Sequence, residues 1–174
     1  RYERTLSDRL FWYAGAGWDR NTFAGIDNRY SFAGGVGHVW FDNEISALRT
    51  DYASTLTVQD NVVATDGNDT FAGFRASWTY RRQLADNTRF DSSLIADENL
   101  SELGDFRIDT VNSVSVSMNE RLALKVGLRL LYDNEPSLEG LALRLPDGTP
   151  AGQTVLVPLD ELDSIFTVAL VVNF

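Results

Sequence analysis

Hydrophobic and polar residues alternate along most of this chain with a period of two, the spacing of a β-strand that has one apolar face. The first clear run, 9–20, places Leu10, Trp12, Ala14, Ala16 and Trp18 on one side. The next, 28–40, does the same with Tyr30, Phe32, Gly34, Val36, His38 and Trp40. Further strands are predicted over 44–58 (Leu48, Tyr52 and Leu56 in phase), 70–82 (Phe74, Ala76, Trp78, Tyr80) and 88–96 (Phe90, Leu94). Phe106, Ile108, Val114 and Val116 mark the strand after that. The cleanest alternation, 122–132, sets Leu122, Leu124, Val126, Leu128, Leu130 and Tyr132 against Lys125, Gly127 and Arg129. A closing strand, 165–174, carries Phe166, Val168, Leu170, Val172 and Phe174 on one face, and residues 1–6 resemble the end of one more strand. Helical periodicity is hard to find.

The connections alternate in length. Ser7-Asp8, Asp42-Asn43, Asp86-Asn87 and Asn119-Glu120 are tight turns; the loops between them, 59–69, 97–105 and 133–163, are longer. All four prolines, Pro136, Pro146, Pro150 and Pro158, fall in 133–163, and so outside every predicted strand, as ladder hydrogen bonding requires. Most predicted strands are about 10–14 residues long, against ~5–6 in soluble sheets, while a tilted strand crossing a bilayer needs roughly 9–11. Short turns on one side and long loops on the other are the plan of outer-membrane barrels. The expected fold is therefore all-β: an antiparallel, up-and-down transmembrane β-barrel, with eight full strands and a partial N-terminal strand in a single domain, 1–174. The segment 133–163 is expected to be a long extracellular loop.

The chemistry of the two faces fits that plan. One face is apolar. The other carries Arg49, Asp51, Arg75, Arg89, Asp91, Arg107, Asp109, Lys125 and Arg129. Arg or Lys on a lipid-facing wall costs about 2–4 kcal/mol at mid-bilayer, so these side chains are expected to line the lumen. Arg-x-Asp occurs in Arg49/Asp51, Arg89/Asp91 and Arg107/Asp109, and at period two both members share a face. They are expected to form a network of ion pairs that fills a narrow barrel, or that sets ion preference in a wider one. Trp12, Trp18, Trp40, Trp78, Tyr80 and Tyr132 suit the aromatic girdles at the membrane interfaces. A soluble sandwich or a lipocalin-like binding barrel with one polar face is the rival reading.

Composition adds exclusions. The net charge of −10 over 174 residues argues against nucleic acid as a partner. There is no cysteine, and His38 is the only histidine, so neither a zinc site nor Ser-His catalysis is expected, and no cofactor is implied. His38 reads as a structural or interfacial residue. Gly34, Gly35 and Gly37 precede no helix and so do not form a phosphate loop; curvature or close packing of the wall explains them better. The loops are acidic, and Asp66-Gly67-Asn68-Asp69 lacks the spacing and final Glu of a calcium loop. A solvated surface is the plain reading and weak divalent-cation binding the sharper one.

Two stretches carry a resemblance. Ala24-Gly25-Ile26-Asp27-Asn28-Arg29-Tyr30 with Gly34-Gly35-Val36-Gly37, and Tyr132-Asp133-Asn134-Glu135-Pro136, resemble the DUF481 family of salt-induced outer-membrane proteins. The resemblance implies a bacterial outer-membrane location and a barrel larger than the strands counted here, with more strands ahead of Arg1. It brings no catalytic residues. On this reading the chain is non-enzymatic: a porin-like narrow channel for ions or small solutes, or a structural component of the Gram-negative envelope. An outer-membrane subunit that binds a partner protein is the alternative. Expected partners are outer-membrane lipid, lipopolysaccharide and the barrel-assembly machinery. The last of these is expected to read the closing Phe166, Val168, Leu170, Val172 and Phe174.

Overall fold

A computed structural model of the chain describes residues 1–21, 26–62, 69–136, 138–144, 146 and 148–172. It is all-β. Strands β1 (Tyr2–Thr5), β2 (Leu10–Asn21), β3 (Ile26–Asp42), β4 (Ser46–Asn61), β5 (Asp69–Ala85), β6 (Thr88–Asn99), β7 (Phe106–Ser117) and β8 (Leu122–Asp133) pair in sequence order. A hairpin of β9 (Leu138–Arg144) and β10 (Pro150–Pro158) follows, and β11 (Leu162–Val172) then pairs with β8. Every pairing is antiparallel, giving one nine-stranded up-and-down sheet and one two-stranded ribbon. The sheet does not close: β1 and β11 are its two edges.

The alternation is expressed as predicted. Between the bulges at 19/21, 26/28, 39/41 and 83/85, cross-strand partners keep odd-numbered residues of β2–β8 on one face and even-numbered residues on the other. The even face is apolar and exposed: Phe166 is 69 % exposed, Leu170 61 % and Phe32 51 %. The odd face holds the buried side chains, polar ones among them: Asp51 is 4 % exposed, and Thr55, Thr57, Gln59 and Ser113 are also buried. The molecule is thus inverted relative to a water-soluble sandwich, whose apolar side chains would be inside.

The odd face is concave. In a flat sheet, strands three places apart would lie roughly 14 Å apart, yet Arg1, next to β1, bonds Asp51 of β4 at 3.2 Å, and Arg49 of β4 pairs with Glu3 of β1. Missing side chains let the wall bend. A Cβ on Gly35 would lie 2.7 Å from Ala53, and one on Gly37 would overlap the Phe11 ring. Both glycines face the concavity, as close packing of the wall requires. Gly34 faces the other way, into open space, and so plays no part in that packing.

Three boundaries differ from the sequence reading. The ladder continues into stretches that charge alone marks as loop: β3 begins ahead of Asp27, β4 runs through Gln59 and Asp60, and β6 takes in 97–99. The segment 133–163 is not a plain loop but contains the β9–β10 hairpin. Two prolines do enter a strand, Pro150 and Pro158, at the ends of β10, where few ladder donors are needed. Ala24, Gly25, the stretch 66–68 and Phe174 lie outside the described residues.

Candidate functional site

The concave face is the candidate site, and its charges are organised by cross-strand register. Arg75, Asp97, Arg107 and Asp133 occupy directly opposed positions on β5, β6, β7 and β8. Opposite charges at such positions attract across the ladder, and here the sign alternates over four strands. Arg75 donates from Nε to Asp97 Oδ1 at 2.6 Å and from Nη2 to Oδ2 at 2.9 Å, a two-pronged, charge-assisted contact. Arg107 Nε–H donates to Asp133 Oδ2 at 3.0 Å, and its Nη2 lies 3.3 Å from Asp105. Asp105 is itself buried and accepts from Asn99 at 2.9 Å.

One step along the strands, Arg129 donates twice to Asp109 of β7, at 2.9 and 2.7 Å. Arg89 and Asp91 pair at 3.0 Å within β6. Of the three Arg-x-Asp pairs only this one is internal, because the other members find partners on neighbouring strands: Arg49 with Glu3, Asp51 with Arg1, Arg107 with Asp133 and Asp109 with Arg129. Lys125 faces the same side, opposite Ser115 and Ala169, with no ion pair among the described residues. All nine charged residues predicted for this face are on it. Arg1, Glu3, Asp97, Asp105 and Asp133 join the network although not predicted for it, and Arg81 adds a further pair with Asp42 at 3.3 Å. Asp97 was legible, since it continues the odd-numbered phase of Arg89, Asp91 and Ile95.

At the end of the concavity near the short turns, an aromatic cluster joins the ions. Phe11, Tyr13 and Ala53 are the buried apolar cluster among the described residues, with Ala33 and Val39 packed on it. The Arg1 guanidinium lies 3.6 Å from the centre of the Tyr13 ring, and that of Arg49 lies 3.8 Å from that of Phe11. These are cation–π contacts in which each cation also holds a carboxylate. Cavities of about 620 Å³ near the turns and about 520 Å³ near the loops open from this face.

The apolar face carries its own polar solutions. Trp18 donates its indole N–H to Asn28 at 3.2 Å, Trp40 to Thr50 at 3.0 Å and Trp78 to Ser92 at 3.4 Å. An indole donor left unpaired would be costly outside water, and here each partner is supplied by the adjacent strand. Of the six aromatics expected in girdles, Trp12, Trp18, Trp40 and Tyr132 sit toward strand ends, and Trp78 and Tyr80 sit inside β5. His38 is on this face too, its ring edge-on to Trp40 at 4.8 Å. Phe166, Val168, Leu170 and Val172 share the face on β11. Among the described residues no three His, Asp or Glu side chains are grouped to hold a metal ion. The loop end is acidic: Glu102, in the β6–β7 turn, raises the Glu135 carboxyl above its ordinary range by its charge.

No curated protein matches this chain, and neither does any solved structure. One family profile does, described as "Protein of unknown function, DUF481", and it spans residues 1–141, from β1 into β9. The match takes in the glycine-bearing β3 and the charged positions of β4–β8, and leaves β10 and β11 beyond its end. A match over most of the chain settles the kinship that its motifs suggested: the protein belongs to the DUF481 family.

Proposed function

We propose that this chain works as a non-enzymatic β-barrel protein of the bacterial outer membrane, either passing ions or small solutes through its charged interior or serving as a structural part of the envelope. The observation that carries this reading is the inversion of the sheet. Exposed Phe, Leu, Val and Trp cover the convex face, and paired charges fill the concave one. In water, such an apolar surface is a liability; against hydrocarbon it is the stable arrangement. A lipocalin-like pocket is disfavoured on the same ground, since it would turn the apolar side chains inward.

The reading requires the seam between the edge strands to be sealed, because an unpaired backbone group in hydrocarbon costs several kcal/mol. It also brings lipid, lipopolysaccharide and the barrel-assembly machinery as partners, with the apolar side chains of β11 as the segment that machinery engages. The β9–β10 ribbon favours a second reading, an interaction subunit: Leu141, Leu143, Val155 and Val157 are exposed on it. Fractionation and bilayer recording test the main reading. The protein should stay with the outer membrane through high-salt and carbonate washes, and the detergent-purified chain should give discrete conductance steps in a planar bilayer. Recovery as a monomer from water without detergent would refute the membrane assignment, and electrical silence would leave the structural role.

A further inference from the structure

We propose that Tyr132, Asp133, Asn134 and Glu135 form a latch that locks a hinge between the main sheet and the β9–β10 ribbon, and that releasing the latch lets the ribbon swing at the loop end of the concave face. The proposal goes beyond the function given above and does not depend on conduction. It begins with register. β8 pairs with β11 as far as Tyr132 and Leu162, and β9 pairs with β10 from Leu138 and Pro158 onward. The four strands are therefore one long hairpin whose ladder is broken in the middle. Across the break, the path from Tyr132 to Leu138 is two residues longer than the path from Pro158 to Leu162. Pro136 lies within the break and Pro158 borders it, and neither has the N–H that a ladder needs. Short segments at the ends of elements are where hinges absorb backbone rotation.

With the ladder interrupted, side chains take over the task of holding the ribbon's root. The Asn134 main-chain N–H donates to the Phe106 carbonyl at 3.1 Å, and its side-chain amide donates to the Gly104 carbonyl at 2.7 Å. The Tyr132 hydroxyl donates to Asn134 Oδ1 at 2.9 Å, which fixes the amide in the orientation that turns its N–H toward Gly104. Glu135 N–H donates to Asp133 Oδ1 at 3.2 Å, while Asp133 Oδ2 accepts from Arg107 at 3.0 Å. The Tyr132 and Phe106 rings lie 5.3 Å apart. The receiving turn is itself held, since Gly104, at φ 114°, donates its N–H to Glu98 Oε1 at 3.2 Å. Together these contacts tie the root of the ribbon to the β6–β7 turn and the start of β7. The tie is also opposed: the Glu135 carboxylate meets the like charges of Glu102, Asp105 and Asp133 against the attraction of Arg107.

The hinge's place gives its consequence. Pro136, Leu159, Asp160 and Glu161, all at the break, line the groove at the loop end of the concave face, and so do Ile26 and Arg29 of β3. The two stretches that carry the family likeness thus meet at this groove. A swing of the ribbon about the break reshapes its rim.

The chain has no cysteine, so Gln153→Cys on the ribbon and Ser164→Cys on β11 place two nitroxide labels across the break. Pulsed electron–electron double resonance on the full chain in detergent should give one narrow distance while the latch is intact. Asn134→Ala should broaden the distribution several-fold. Tyr132→Phe, which frees the amide but keeps the main-chain bond to Phe106, should broaden it less. If Asn134→Ala fails to fold, which heat-modifiable migration on a gel would reveal, Tyr132→Phe decides the matter. A wild-type distribution that is already broad overturns the latch, and so do folded variants as narrow as the wild type.

Discussion

Arg107 holds two carboxylates at once, the half-buried Asp133 at 3.0 Å and the buried Asp105 at 3.3 Å. Removing it strands both. Arg107→Ala should therefore destabilise the fold by about 1–3 kcal/mol, read as a lower denaturant midpoint in detergent or lipid. Arg107→Lys should recover only part of this, because an ammonium cannot reproduce the planar fork that reaches both acids. Gly37→Ala should be costly for a different reason, since the added methyl meets the Phe11 ring; about 1–3 kcal/mol is expected for overpacking. Near the loops, Glu102→Gln should bring the Glu135 titration down, read by carboxyl NMR, because the Glu102 charge is the first cause of its upward shift. Residue by residue, alternation exposed the arginines and hid several of their partners. Asp105 and Asp133 stand next to turn-forming sequence, where a carboxylate looks like loop. Only the opposing arginines on other strands, invisible in a linear reading, draw them into the site.

The long strands were legible because each repeats the same apolar alternation several times over. The ribbon of β9 and β10 was not, for its strands are short, bounded by prolines and interrupted by Gly140 and Gly152, the latter at φ 70°. Its register also shifts between Pro150 and Thr154. A two-stranded ribbon is marginal by itself in water, and this one pairs with no strand of the main sheet. Replacing 137–159 with a short turn should accordingly leave the unfolding midpoint of the main sheet within about 0.5 kcal/mol. A larger loss would mean that the ribbon braces β8 and β11. The strand ends are the other place where sequence and structure part. Polar residues at the end of β4 and charged ones at the end of β6 read as solvated, while pairing with neighbouring strands keeps them in the ladder.

For the whole molecule, the decisive property is which face meets which solvent. Leu128→Arg, on the convex face of β8, should cost about 2–4 kcal/mol in a bilayer near its midplane, whereas at an exposed site in water such a change is usually within ±0.5 kcal/mol. Comparing refolding yield in lipid vesicles with that in zwitterionic micelles checks this, and an equal yield for the variant and wild type in vesicles would count against a lipid-facing β8. The overall plan was readable because a period of two and a split of charge from grease suffice to specify an inverted sheet. The alternation led to the expectation of a closed barrel, whereas the nine-stranded sheet stays open between β1 and β11, because alternation describes the faces of strands and not their edges.

Arginine supplies all but one of the basic side chains in this sequence, and the exception, Lys125, faces inward. The concavity therefore displays a single primary side-chain amine. On the outer-membrane reading proposed above, a membrane-impermeant acylating reagent, given in a series of increasing bulk from either side of a sealed vesicle, would turn that side-chain amine into a gauge of access to the concavity from each side.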